Sequence, residues 1–135
     1  MKKEKVRYEV KSDTQILGES AARIVVESGE DKGKEYPIEK MRVTIGRHTE
    51  NDICLPNDRT VSRFHGRICY DDAGGKYFFE DLNSTNGTTI GNKWFKNERL
   101  EIKHGDTIVL GTEASAHTHL RFYTKKLGLK DWIRG

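Results

Sequence analysis

A chain of 135 residues is long enough for one domain with a real core and too short for two. Hydrophobic residues make up 34% and charged residues 33%; that is polar for a globular domain, yet the apolar positions cluster in short runs, as a folded chain requires. The net charge of +3 sits at the ends, with +3 on residues 1–11 and +4 on residues 121–135, so the body carries −4 and does not offer the broad basic face of a nucleic-acid binder.

Residues 1–20 are polar with weak periodicity and are expected to form a flexible arm. From Ala22 the texture changes to short β-rich runs broken by turn residues. Arg23 to Glu27 reads as a strand, the stretch Ser28 to Gly33 as a turn, and the segment through Tyr36 and Ile38 as its hairpin partner. Val43-Thr44-Ile45 alternates and ends at Gly46-Arg47. A long polar connection follows, with the short run Ile53-Cys54-Leu55 inside it. Next come Gly66 to Tyr70, the turn at Asp72 to Gly75, and Tyr77-Phe78-Phe79. The strand from Tyr77 to Leu82 does not alternate cleanly, so its inward face is open. Thr88 to Ile90, Leu100 to Ile102, Thr107 to Leu110 and His119 to Tyr123 close the series. About ten short strands with turn signals every 8–12 residues point to an all-β sandwich. After Lys125, the residues Leu127, Leu129, Trp132 and Ile133 fit either a short helix or an unpacked tail.

Cys54 and Cys69 each lie among strand formers and not in a CxxC pair, so they read as small, buried, reduced side chains. His117 and His119 have no thiol or second pair nearby and read as strand residues; no metal site is expected. Met1-Lys2-Lys3 opens no apolar run, and no stretch approaches the ~18 apolar residues of a membrane-spanning helix. A cytoplasmic protein without membrane contact is the expectation.

Three polar clusters lie in the connections: Gly46-Arg47, Ser62-Arg63-Phe64-His65, and Asn83-Ser84-Thr85-Asn86-Gly87-Thr88. A sandwich gathers the loops of one end, so three such loops can build a site on a rigid scaffold. Arg47 offers a planar fork of donors that suits a phosphate dianion. Ser62 and Thr85 add hydroxyls, and Arg63 adds a second positive charge. The Asn86 amide can donate and accept at once, which suits a peptide backbone. Gly87 permits a positive φ and close approach of another chain.

The order of these clusters resembles the forkhead-associated (FHA) domain family. The resemblance continues in Leu100 and in Gly105-Asp106-Thr107-Ile108-Val109-Leu110-Gly111, and covers roughly residues 22–125. It implies an FHA-type β-sandwich of about eleven short strands with ligand loops at one end, over residues 21–125. An arm of residues 1–20 would precede it, and a tail or short helix of residues 126–135 would follow. The implied function is a phosphothreonine-dependent protein-protein interaction module in kinase signalling, without cofactor or catalysis. Partners would be phosphothreonine-containing proteins, either Ser/Thr kinases or their substrates. By position, Arg47 and Ser62 match the main phosphate ligands, Arg63 an assisting position, Thr85 a further phosphate-side contact and Asn86 the clamp on the ligand backbone. Gly46 and His65 match architectural residues, and Gly87 serves the turn.

Three other readings are weaker, one of them an FHA-type interaction domain that works without phosphate, which the intact ligand set argues against. Ser62 and His65 invite thoughts of nucleophilic catalysis, but no G-x-S-x-G elbow, paired carboxylates or glycine-rich phosphate loop accompanies them. Lys93-Trp94-Phe95-Lys96 is the one candidate stacking platform for nucleic acid, and it fits a hairpin edge better. In the arm, Thr14 has Leu17 three residues on. It reads first as an ordinary exposed threonine; the alternative is that, once phosphorylated, it is a ligand for this same fold, captured by a second molecule.

Overall fold

Alternation of inward apolar and outward polar residues builds two sheets here. In the computed structural model, residues 22–114 and 116–124 are described. Thr14 and the residues from Leu127 to Ile133 lie outside them. The first sheet joins β1 (Ala22–Val26), β2 (Glu35–Pro37), β7 (Thr88–Ile90), β8 (Lys93–Phe95), β10 (Thr107–Val109) and β11 (His119–Thr124). Its order is β2-β1-β11-β10-β7-β8. The second joins β3 (Arg42–Gly46), β4 (Ile53–Cys54), β5 (Gly66–Asp71), β6 (Lys76–Asp81) and β9 (Arg99–Ile102), in the order β4-β3-β5-β6-β9. Among the described residues there is no helix, so none long and apolar enough to cross a membrane.

The expected sandwich is therefore present, and its eleventh strand is β8. Only Phe95 of its three residues is buried, so it carries no alternation to detect. Along β6, Tyr77, Phe79 and Asp81 point inward. Phe78 blurred that pattern because it is apolar on the outer face, where the Arg99 guanidinium covers its ring at 3.9 Å. Cys54 and Cys69 are free and only half-buried, less enclosed than expected. His119 opens β11, while His117 is exposed two residues before it.

The core lies between the sheets. Ile24, Ile108, Leu120 and Phe122 of one face meet Ile45, Ile68 and Phe79 of the other, all inaccessible to solvent. Each such side chain contributes roughly 1.5–3 kcal/mol by burial. Edge-on aromatic pairs bridge the layers, Tyr77 with Phe122 at 5.1 Å and Phe79 with Phe95 at 6.4 Å.

Register places the functional loops together. Ile45 pairs with Gly66, and Gly66 with Asp81. The exit of β3, the entry of β5 and the exit of β6 therefore share one end of the sandwich. Thr89, beside the entry of β7, pairs with Val109 at the exit of β10. The β10–β11 connection thus joins the same end.

Candidate functional site

Gly46 is where the first two loops touch. A Cβ there would lie 2.1 Å from the Arg63 carbonyl oxygen and 2.8 Å from Asn51 Nδ2, so only glycine lets the 62–65 segment pass. The contact is sewn by backbone bonds: Arg47 N–H donates to Ser62 O (3.0 Å), His48 N–H to Arg63 O (3.1 Å) and His65 N–H to Ile45 O (2.9 Å). Asn51 reinforces it, its Nδ2 donating to His48 O and Arg63 O, each at 2.8 Å.

Arg47 is half-buried, and its Nε–H donates to the Val61 carbonyl at 2.8 Å. That bond fixes the guanidinium plane. Among the described residues, its two Nη groups meet no acceptor. One residue on, Ser62 Oγ accepts the Thr85 backbone N–H at 2.8 Å. The hydroxyl proton of Ser62 is thereby left to donate outward. Arg47 and Thr85 are thus both tied to one short segment, residues 61–62.

His65 holds this segment from beneath. It is fully buried. Its Nδ1 accepts the Ser62 N–H at 3.2 Å, so Nε2 carries the ring proton and donates to Gly87 O at 2.8 Å. Burial lowers the His65 pKa, against the opposing pull of the Gly87 carbonyl and the Asp81 and Asp58 charges. Both ring nitrogens are engaged with main chain, so neither is free to take a proton from the Ser62 hydroxyl. The serine-histidine pair is a brace.

The third loop hangs on Asp81. Its Oδ1 accepts Ser84 N–H (2.9 Å) and Asn97 N–H (3.0 Å), and its Oδ2 accepts the hydroxyls of Ser84 and Thr88, each at 2.7 Å. Burial pushes this carboxyl up, but those bonds outweigh it and hold it below the ordinary value. Ser84 Oγ in turn accepts the Gly87 N–H at 2.8 Å. Gly87 has φ +76°, and a Cβ on it would lie 2.4 Å from the Trp94 indole.

Asn86 is tethered too, its Nδ2 donating to Thr60 O at 2.9 Å, which leaves its side-chain oxygen as an acceptor for a ligand N–H. Thr60 is fixed by Asp58, whose Oδ1 accepts its N–H (2.9 Å) and its hydroxyl (2.6 Å). The other Asp58 oxygen accepts the Thr118 hydroxyl, linking the β10–β11 connection to the site. Burial again pushes the Asp58 carboxyl up, and the Thr118 and Thr60 bonds again prevail and hold it low. Arg63 enters the network through its carbonyl alone. Its side chain is exposed and makes no hydrogen bond or ion pair to the other site residues among those described.

Sequence reasoning therefore singled out the groups that face outward and three of those that support them, Gly46, His65 and Gly87, and missed Asn51, Asp58, Asp81 and Trp94. A signal existed for the two acids. Asp58-x-Thr60 and Asp81-x-x-Ser84 are spacings at which a carboxylate hydrogen-bonds its own chain in a turn.

Backbone-anchored loops at one end of the β-sandwich thus present a fixed guanidinium fork and a hydroxyl with its proton free to donate, chemistry that suits an oxyanion. The FHA domain family model matches residues 43–111, and the chain belongs to that family. The oxoglutarate dehydrogenase inhibitor of Corynebacterium jeikeium is 35% identical over 95 residues, which are 70% of this chain and 62% of that protein. The chain thus spans less than two thirds of the curated relatives it matches first. A solved FHA domain, studied for phosphothreonine-dependent FHA domain interactions, superposes with a TM-score of 0.63 at 31% identity, covering 76% of this chain and 95% of that one. Mycobacterium tuberculosis EmbR in complex with a low-affinity phosphopeptide superposes with a TM-score of 0.60 at 27% identity, over 76% of this chain and 24% of that one.

Proposed function

We propose that this domain binds phosphothreonine-containing segments of other proteins and acts in kinase signalling as an interaction module without chemistry of its own. The observation that carries the reading is the juxtaposition of the Arg47 fork with the Ser62 hydroxyl, each oriented by a bond to main chain. A phosphate brings about −1.5 to −2 charge and three acceptor oxygens. Arg47 and Ser62 are assigned as its main ligands, Thr85 as a further hydroxyl at its side and Arg63 as a second positive charge. Asn86 grips the ligand main chain. Gly46, His65 and Gly87 hold the loops in place.

Hydrogen bonds to a charged group contribute about 1.5–3 kcal/mol each. Three or four, less the cost of association, correspond to a dissociation constant on the order of micromolar. That strength suits a reversible switch. The partner is a Ser/Thr kinase or one of its substrates, met in the cytoplasm where ATP-dependent kinases write the mark, and neither nucleic acid nor membrane is required. The binding unit is residues 21–125.

An oriented peptide library with phosphothreonine, phosphoserine or unmodified threonine at its centre tests this. Retention of the phosphothreonine pool alone is expected. Equal retention of the unmodified pool would remove the reading.

A further inference from the structure

The described residues include three large apolar side chains that are exposed: Phe64 at 47%, Leu82 at 37% and Trp94 at 50%. Single exposed apolar residues are ordinary, but these lie at one end of the sandwich. Phe64 sits in the Ser62–His65 segment, stacked on His48 at 5.1 Å. Leu82 follows β6 directly, and Trp94 lies against the Gly87 turn.

Trp94 is the most tightly placed of the three. Its Nε1–H donates to the Asn86 carbonyl oxygen at 3.0 Å. Its ring lies so close over Gly87 that an added Cβ would come within 2.4 Å of three indole atoms. The polar handle of the indole is therefore satisfied on the protein side, and the ring cannot settle inward. What it turns to solvent is a rigid apolar surface, the kind of anchor that interfaces use. It touches the main chain of residues 86–87, beside Thr85 and the Asn86 amide. A ligand chain gripped there advances about 3.3–3.6 Å per residue, so the indole lies alongside a position within two or three residues of the phosphothreonine.

We propose that Trp94 is a ligand-contacting residue that selects an apolar side chain flanking the phosphothreonine. The assignment rests on the phosphothreonine reading above and adds to it the sequence preference of the site. It also gives the Lys93–Lys96 segment, with its aromatic pair between two lysines, a role other than stacking on bases.

The test compares wild-type protein and Trp94→Ala on the phosphothreonine library, followed by titration of the selected peptide and its alanine-substituted twin. Wild type is expected to enrich an apolar residue at one flanking position. Trp94→Ala should lose that enrichment, and the preference of about tenfold that wild type shows for the selected peptide over its twin should vanish, the loss of the indole bond to the Asn86 carbonyl weakening both peptides alike. Identical profiles for both proteins would overturn the inference and leave phosphothreonine binding standing. Failure of wild type to bind any phosphothreonine peptide would overturn both. Should Trp94→Ala not fold, indole fluorescence of a Trp132→Phe protein, in which Trp94 is the one tryptophan left of two, serves instead. The selected phosphopeptide should shift Trp94 emission to the blue and protect it from acrylamide, and the twin should not. Unchanged emission with the selected peptide would overturn the inference.

Discussion

Replacing Asp81 by asparagine asks whether a buried charge holds the third loop. The side chain keeps its shape, so Oδ1 can still accept from Ser84 N–H and Asn97 N–H. The other oxygen becomes an amide nitrogen facing the hydroxyls of Ser84 and Thr88. Two bonds to a charged acceptor, at about 1.5–3 kcal/mol each, become at best two neutral bonds of about 0.5–1.5 kcal/mol. The expected loss is about 2–3 kcal/mol, which for a domain of this size moves a urea midpoint by about 1–2 M. Acid supplies a second readout. Because the folded carboxyl sits below its ordinary value, Asp81 contributes stability above the unfolded pKa near 3.8 and loses it as pH falls through the folded one. Asp81→Asn should therefore lose stability less steeply than wild type between about pH 5 and pH 2, the remaining slope coming from Asp52 and Asp58, whose carboxyls are also held low. Phosphopeptide affinity should fall as well, since Thr85 and Asn86 ride on this loop. A variant with the wild-type urea midpoint at pH 7 would refute the reasoning, because the carboxylate would then add nothing that a neutral amide does not.

Further outcomes follow from the same geometry. His65 is held neutral in the fold, with a pKa below the ordinary 6.5, so the unfolded chain takes up a proton first as pH falls. Stability should be level above about pH 7 and decline below about pH 6.5, and melting curves of His65→Gln should lack this part of the decline. Arg47→Ala and Asn86→Ala should both weaken phosphopeptide binding, but only in the former should the salt dependence flatten relative to wild type, because a charge pair is screened by ions and an amide-to-backbone bond is not. Equal salt slopes in the two variants would show that the two side chains do not divide the work as assigned.

How much of this was legible beforehand depended on which face a residue presents. Strands with one apolar face, such as β1 and β11, announce themselves by alternation. Strand β8 does not, because Lys93 and Trp94 are both exposed. Strand β4 shows as the short run Ile53-Cys54-Leu55, but its parallel pairing with β3 leaves no mark in local pattern. Within the site, Arg47, Ser62, Thr85 and Asn86 stood out as unusual chemistry in connecting loops. Asp58 and Asp81 did not, since a carboxylate in a loop or at a strand end normally reads as a solvated turn residue. Their burial follows from tertiary packing, as Thr118 and Asn97 reach them from 60 and 16 residues away. The indole of Trp94 was hidden for the same reason. Its partner is the main chain of residues 86–87, and only the β7–β8 pairing of Thr89 with Trp94 brings the two together.

The central claim is that the loops grip a phosphothreonine through Arg47 and Ser62. Calorimetric titration of one library-selected peptide in phosphorylated and unphosphorylated form, against wild type and Arg47→Ala, tests it most directly. Wild type should bind the phosphorylated form with a dissociation constant on the order of micromolar and the other at least about a hundredfold more weakly. Arg47→Ala should lose roughly 2 kcal/mol or more, about thirtyfold, with its fold intact. Equal affinity of wild type for both peptides, or undiminished binding by a folded Arg47→Ala, would contradict the account.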